Sequence, residues 1–301
     1  MNRRTVPTPR KLRHAGGRGA GGPSPKGPRA GGRGADRELE AGATAHYDDA
    51  TYYTSNYRGR LDDVQFYVDL AVANGGPVLE YACGNGRILL PVARHGVDVT
   101  GIDRSEPMLA SFRERLADEP RDVRRRVTLR KGDMRTAKVG KRFPLVTCPF
   151  NALLHMYQRE DVEEFLARVR DHLTPDGRFV VDISVPSLEN LMREPTRAFH
   201  APRFRHPTTG ELVRYWEHYD YDPVRQVLFV SMNFEPKDRP EGGWMTPLAH
   251  RQFFPAEWEM LLHYNGFAIE SVWGDFQRGP FDRTSDTMIV SAKVRRTRKR
   301  S

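Results

Sequence analysis

The segment Val78-Leu-Glu-Tyr-Ala-Cys-Gly-Asn-Gly-Arg-Ile-Leu89 carries the first readable chemistry in the chain. A short apolar run ends at Glu80, meets Gly84 and Gly86, and gives way to an apolar helical pattern. The backbone must turn sharply there and come close to a ligand, which residues without a Cβ allow. The helix that follows is expected to start near Gly86, and its N-terminus offers free N–H groups. A dinucleotide turn needs a third glycine, and Leu89 stands in its place. An acid at the strand end followed by Gly-x-Gly suits a cationic ligand better, since Glu80 can face a sulfonium or an amine.

Two further segments repeat the pattern of an acid just past a strand. In Val99-Thr-Gly-Ile-Asp-Arg-Ser-Glu-Pro-Met108, Asp103 can accept from both hydroxyls of a ribose. The Met108 thioether can lie on a planar base. In Gly132-Asp-Met-Arg135, Asp133 can accept from an exocyclic amine, with Met134 under the ring. Each acid alone reads equally well as a turn residue or a helix cap. Three such turns after three successive strands describe one nucleoside site.

The elements that position them follow from periodicity. Asp48–Asn56, with its tyrosines, reads as a short helix or lid, and 61–72 as a helix ending at Asn74-Gly75-Gly76. Strands are expected at 77–81, 97–102, 127–130, 145–148 and 178–183. Helices are expected at Ser105–Leu116, with Ser105 as N-cap, and at Asp161–Leu173, closed by Thr174-Pro-Asp-Gly177. Strands alternating with helices give a doubly wound α/β domain with a mostly parallel sheet, whose ligands sit at the carboxyl ends of the strands. Leu212–Tyr221 and Val224–Phe234 read as an antiparallel hairpin, with a third strand at 247–254. The run 195–254 is therefore expected to be an antiparallel β cap inserted in the domain. A helix over 255–264 and strands over 267–273 and 287–294 close the chain.

The net charge of +9 is unevenly placed. Residues 1–35 hold nine Lys and Arg and no acid, and the final run from Arg295 adds five more, which leaves −5 for 36–294. The folded body is mildly acidic, which argues against nucleic acid as its substrate. Residues 1–43, rich in Gly, Pro and Arg, are expected to be a disordered tail, and 295–301 a basic one. Gly17-Arg-Gly19 and Gly32-Arg-Gly34 resemble RNA-binding tracts, although a plain solvated tail reads as well. No run of 18 apolar residues suggests a membrane span. Two cysteines, Cys83 and Cys148, make no disulfide framework, so a cytoplasmic setting is expected.

The segments Leu79–Gly86, Thr100–Leu109, Gly132–Arg135 and Leu173–Asp182 together resemble the class I S-adenosylmethionine-dependent methyltransferases. The resemblance runs over 47–294. It implies a seven-stranded sheet with an antiparallel last strand and S-adenosylmethionine as cofactor. It also implies that Glu80, Gly84 and Gly86 line the methionine part, that Asp103 holds the ribose, and that Asp133 and Met134 hold the adenine. Ala82 stands where many members have glycine. Arg104, Met108, Phe150 and Tyr57 complete the expected cofactor contacts. A looser similarity links the tyrosine-rich entry, Pro149-Phe-Asn-Ala-Leu-Leu-His155 and Arg251-Gln-Phe-Phe254 to small-molecule N-methyltransferases of the deoxyaminosugar and glycine types. It implies a small-molecule acceptor, with an amine as the expected nucleophile.

His155 is expected to orient or deprotonate the acceptor, and Tyr53 to bind it, while packing against neighbouring helices accounts for both equally well. No metal is expected. His218, His250 and His263 read as structural or peripheral, and Cys83 as a packed small residue. The competing readings are an O-methyltransferase, an RNA or protein methyltransferase guided by the basic tails, a nicotinamide dehydrogenase, and a scaffold without turnover. A homodimer through the aromatic cap is compatible with all of them.

Overall fold

The structure, a computed structural model, describes residues 33–295; most of the expected N-terminal tail (1–32) and 296–301 of the C-terminal one lie outside them. Three helices precede the first strand: α1 (Arg33–Thr44), α2 (Ala50–Tyr57) and α3 (Asp62–Asn74). Then follow β1 (Val78–Tyr81), α4 (Leu89–Arg94), β2 (Val99–Asp103), α5 (Glu106–Ala117), α6 (Arg121–Arg126), β3 (Val127–Lys131) and β4 (Phe143–Cys148). The chain continues through α7 (Arg159–His172), β5 (Leu173–Ser184) and α8 (Leu188–Leu191). Next come β6 (Phe199–Arg205), β7 (Leu212–Asp222), β8 (Val227–Pro236) and β9 (Trp244–Arg251). It ends with α9 (Pro255–Tyr264), β10 (Phe267–Trp273) and β11 (Thr287–Val294).

Every residue of β1 and of β2 is buried, as strands covered on both faces must be. They belong to a seven-stranded sheet ordered β10-β11-β5-β4-β1-β2-β3. The pairs β1–β2, β2–β3, β1–β4 and β4–β5 are parallel, and β11 runs antiparallel to both its neighbours. One core, with Phe143, Phe165 and Trp258, covers one face; another, with Phe66, Leu90 and Phe112, covers the other. The chain winds outward through β2 and β3, then returns to the far side of β1 as β4. That reversal opens a crevice at the carboxyl ends of β1 and β4. Local signals hold where expected. Gly75 ends α3 in the left-handed conformation, and the Ser105 hydroxyl accepts from Met108 N at the start of α5.

A separate antiparallel sheet, β6-β7-β8-β9, forms the cap. β6 is not evident from sequence because Pro202 interrupts its apolar pattern. It is an edge strand with a register shift between Ala201 and Phe204, where proline is tolerated. The third strand expected at 247–254 starts earlier, at Trp244, and its Pro247 also lies on an edge.

Three expectations are corrected. Residues 33–43 are not disordered: they form α1, whose Leu39 and Ala43 are buried. A Cβ at Gly42 would lie 2.4 Å from that of Ala249, so this glycine lets α1 lie directly on β9. The helix after the glycine turn begins at Leu89 and not near Gly86, because Gly84 (φ 53°) and Gly86 (φ 76°) hold the chain in a turn. The turn expected at 174–177 falls within β5, where a register shift against β4 absorbs it.

Candidate active site

The carboxyl ends of β1, β2 and β4 frame a cavity of about 340 Å3. Ala82 and Gly84 form its floor. Both adopt positive φ, 54° and 53°, so Ala82 carries the strain that a glycine would avoid. Asp103 enters from β2. Its Oδ2 accepts from Gly84 N at 2.7 Å and its Oδ1 from Ser105 N at 2.8 Å, which ties the two turns together. Burial pushes its carboxyl up, opposed by those two N–H donors. Each oxygen keeps a second acceptor site for a ligand. Met108 and Met134 supply thioethers to the same wall. Arg104 lines the cavity too, and its guanidinium reaches Ala43 O at 3.1 Å and the Glu40 carboxylate at 3.4 Å, pinning α1 over the opening.

Four expected cofactor contacts do not line the cavity. Gly86 is needed for packing, since a Cβ there would fall 2.4 Å from the Phe112 ring. Asp133 is committed elsewhere: Arg135 grips its carboxylate at 2.9 and 2.6 Å and holds it below the usual carboxylate range. Asp133 therefore does not line the cavity, while Met134 beside it does. Tyr57 stands behind Phe150, ring centroids 4.9 Å apart, with its hydroxyl 3.1 Å from His46 Nε2. Glu80 lies beneath the glycine turn, 2 % exposed, and its Oε2 has no hydrogen-bond partner. Burial pushes this carboxyl well up, with Arg87 opposing.

The far end of the cavity is aromatic. Tyr47, Tyr53, Phe150 and His155 line it. Tyr47 is not among the site residues expected from sequence, although it immediately precedes the segment Asp48–Asn56 that carries Tyr53. Its hydroxyl lies 2.7 Å from His155 Nε2. Burial, then His250, lowers the His155 imidazole well below its ordinary value, so it is neutral. His250, read as peripheral, packs edge-on against it at 5.0 Å. Burial also pushes the Tyr47 and Tyr53 phenols up, so both keep their protons. Cys83 is buried and its thiol is pushed up, as a packed small residue requires.

A winding reversal beside β1, an antiparallel last strand and a cavity over a glycine turn are the features of the class I S-adenosylmethionine-dependent methyltransferase fold, and the chain has that fold. Residues 78–177 match the family described as a methyltransferase domain. A dTDP-3-amino-3,6-dideoxy-alpha-D-glucopyranose N,N-dimethyltransferase from Streptomyces fradiae is 32% identical over 42% of this chain. That match spans about half of the relative, 47%. The CcbJ methyltransferase from Streptomyces caelestis superposes with a TM-score of 0.66 at 26% identity, over 78% of this chain and 89% of its own. The glycopeptide N-methyltransferase MtfA, in complex with S-adenosylmethionine, matches with a TM-score of 0.53 at 27% identity, over 77% and 93% of the two chains.

The class takes S-adenosylmethionine as its cofactor, and the residues present fit it. Asp103 has acceptor sites for a ribose, and Met108 and Met134 offer thioethers to a base. Among the described residues, no helix is long and apolar enough to cross a membrane.

Proposed function

We propose that the chain methylates the amine of a small, sugar-like acceptor that enters between the cap and the body. The observation that carries this reading is the uncharged aromatic collar of Tyr47, Tyr53, Phe150 and His155 at the end of the cofactor cavity. S-adenosylmethionine supplies a methyl group already activated on a sulfonium, so the protein must provide position and dryness. A collar of neutral rings disfavours an ammonium ion and favours the free amine, whose lone pair is the nucleophile. A neutral imidazole with so low a basicity orients the acceptor, through Tyr47, better than it takes a proton from it.

The cap supports an acceptor with polar groups. Glu217 lies on the same face as His250, because Tyr215, Glu217, Tyr219 and Tyr221 alternate together and Tyr221 pairs with Leu228, which pairs with His250. The hydroxyls of Tyr215 and Tyr219 both donate to the Glu217 carboxylate. No Lys, Arg or His among the described residues forms an ion pair with it, which leaves it able to hold acceptor hydroxyls or an amine. The named activity of the Streptomyces fradiae relative agrees with an aminosugar.

The test is a methyl-transfer screen with isotopically labelled cofactor over nucleotide-linked aminosugars, small free amines, hydroxylated analogues, bulk RNA and protein. N-methylated small molecules support the reading. Label only on oxygen, or only on RNA or protein, removes it. With the acceptor found, Glu217→Gln raises KM for it about tenfold and leaves cofactor affinity unchanged.

A further inference from the structure

The turn that carries the aromatic collar is held in a costly shape. Phe150 and Asn151, neither a glycine, are both left-handed, with φ of 58° and 63°. A bulky side chain rarely adopts this conformation, so surrounding contacts must impose it. The turn matters because the Phe150 ring lines the cavity and the next residues, Ala152–His155, form the single helical turn that delivers His155.

Two residues of β5 hold it, and one of them is a buried carboxyl. Asp182, on β5 and 3 % exposed, accepts from Phe150 N through Oδ2 at 2.9 Å and from the Tyr67 hydroxyl through Oδ1 at 2.6 Å. Its backbone carbonyl accepts from Asn151 N at 3.3 Å. Two residues on, Ser184 completes the clamp: its N–H donates to Asn151 Oδ1 at 2.6 Å, and its hydroxyl accepts from Asn151 Nδ2 at 2.9 Å. The guanidiniums of Arg60 and Arg87 lie over the Phe150 ring at 4.8 and 4.6 Å. Asp182 itself does not line the cavity.

We propose that Asp182 is a positioning residue: by holding the left-handed Phe150–Asn151 turn, it sets the Phe150 wall of the cofactor cavity and the start of the turn that carries His155. This rests on the methyl-transfer reading of the cavity. Both groups that face the carboxylate are donors, Phe150 N–H and Tyr67 O–H. An asparagine there turns an N–H2 toward one of them, so an isosteric change suffices to break the clamp.

The experiment titrates S-adenosylhomocysteine into the full-length wild type, Asp182→Asn, Phe150→Ala and the double variant by calorimetry, with a melting curve for each. Asp182→Asn is expected to lower affinity about tenfold, consistent with the loss of hydrogen bonds to a charged group. Phe150→Ala is expected to lose a similar factor, and the double variant no more than Phe150→Ala alone, because one residue acts through the other. Wild-type affinity in Asp182→Asn, or losses that multiply in the double variant, overturns the proposal. If Asp182→Asn does not fold, Tyr67→Phe removes one donor and keeps the packed ring. A loss of about threefold that vanishes in the Phe150→Ala background supports the proposal, and unchanged affinity overturns it. A wild type that binds no S-adenosylhomocysteine overturns the cavity reading itself, which separates the two failures.

Discussion

The two ends of the cavity are built in opposite ways. At the cofactor end, Ala82, Gly84, Asp103, Met108 and Met134 come from the carboxyl ends of three successive strands and the segments that directly follow them. At the aromatic end, Tyr47, Tyr53, Phe150 and His155 come from the entry segment and the loop after β4, backed by His250 from the cap. The Tyr47–His155 hydrogen bond joins residues 108 positions apart. The first end is a local product of strand, turn and helix. The second exists only once the entry helices, the cap and the sheet have docked. A change at the cofactor end should therefore act on binding, and a change at the Tyr47–His155 pair on turnover, with Phe150 as the wall that both ends share.

The largest expected effect is at the cofactor end. Asp103→Ala removes the acceptor of two backbone N–H groups together with the expected ribose contact, and should weaken S-adenosylhomocysteine binding about 100-fold by calorimetry. Deleting residues 1–43 removes Glu40 and Ala43 from the cavity wall and the partners of Arg104. It should cost about tenfold in the same titration, whereas a chain beginning at Arg33 keeps every cavity contact described and should bind as the full chain does. At the other end, Tyr47→Phe removes the hydroxyl on His155 Nε2. Turnover should fall about tenfold with cofactor affinity nearly unchanged, which single-turnover kinetics can separate. An equal loss of binding would erase the distinction between the two ends.

The smallest effect concerns acid. Burial lowers His250 to about 4, with His46 adding to it. The unfolded chain then binds the proton more readily than the folded one. His250 thus contributes full stability above about pH 6.5 and loses it progressively as pH falls toward 4. Glu80 and Asp182 are pushed up by burial and act with the opposite sign, so the readout is a difference between variants. Between pH 7.5 and 5.5 the wild type should lose about 1.4 kcal/mol more than His250→Gln, or about 3 °C more in melting temperature. An identical pH profile for the two proteins would show that His250 is not enclosed as described.

The legibility of the chain follows the same division. Val78–Tyr81 and Val99–Asp103 are apolar, short and bounded by glycine or a helix cap, so type and position can be read from sequence. Ser105 announces α5, and Gly75 announces the end of α3. Less is legible where a distant contact decides. Gly86 reads as a ligand glycine, and the sequence does not show that the Phe112 ring leaves no room for a Cβ there. Asp133 reads as an acceptor in the cavity wall, whereas it stands off the wall on Arg135, which Asp161 of α7 holds in place. Residues 33–43 read as tail because they are poor in large apolar side chains, yet Leu39, Gly42 and Ala43 find a surface on β9 that the local sequence does not mention.

The sequence by itself determined the α/β winding, the glycine turn, the acid at the end of β2 and the choice of a cofactor with a cationic end, because each depends on the periodicity and backbone freedom of a few consecutive residues. Tertiary structure decided which acids stay available to a ligand, that α1 closes the cavity, and that Tyr47, His155 and His250 stand together. Those outcomes depend on which groups remain unpaired after packing. That balance of burial against hydrogen bonding is set between segments far apart in the chain.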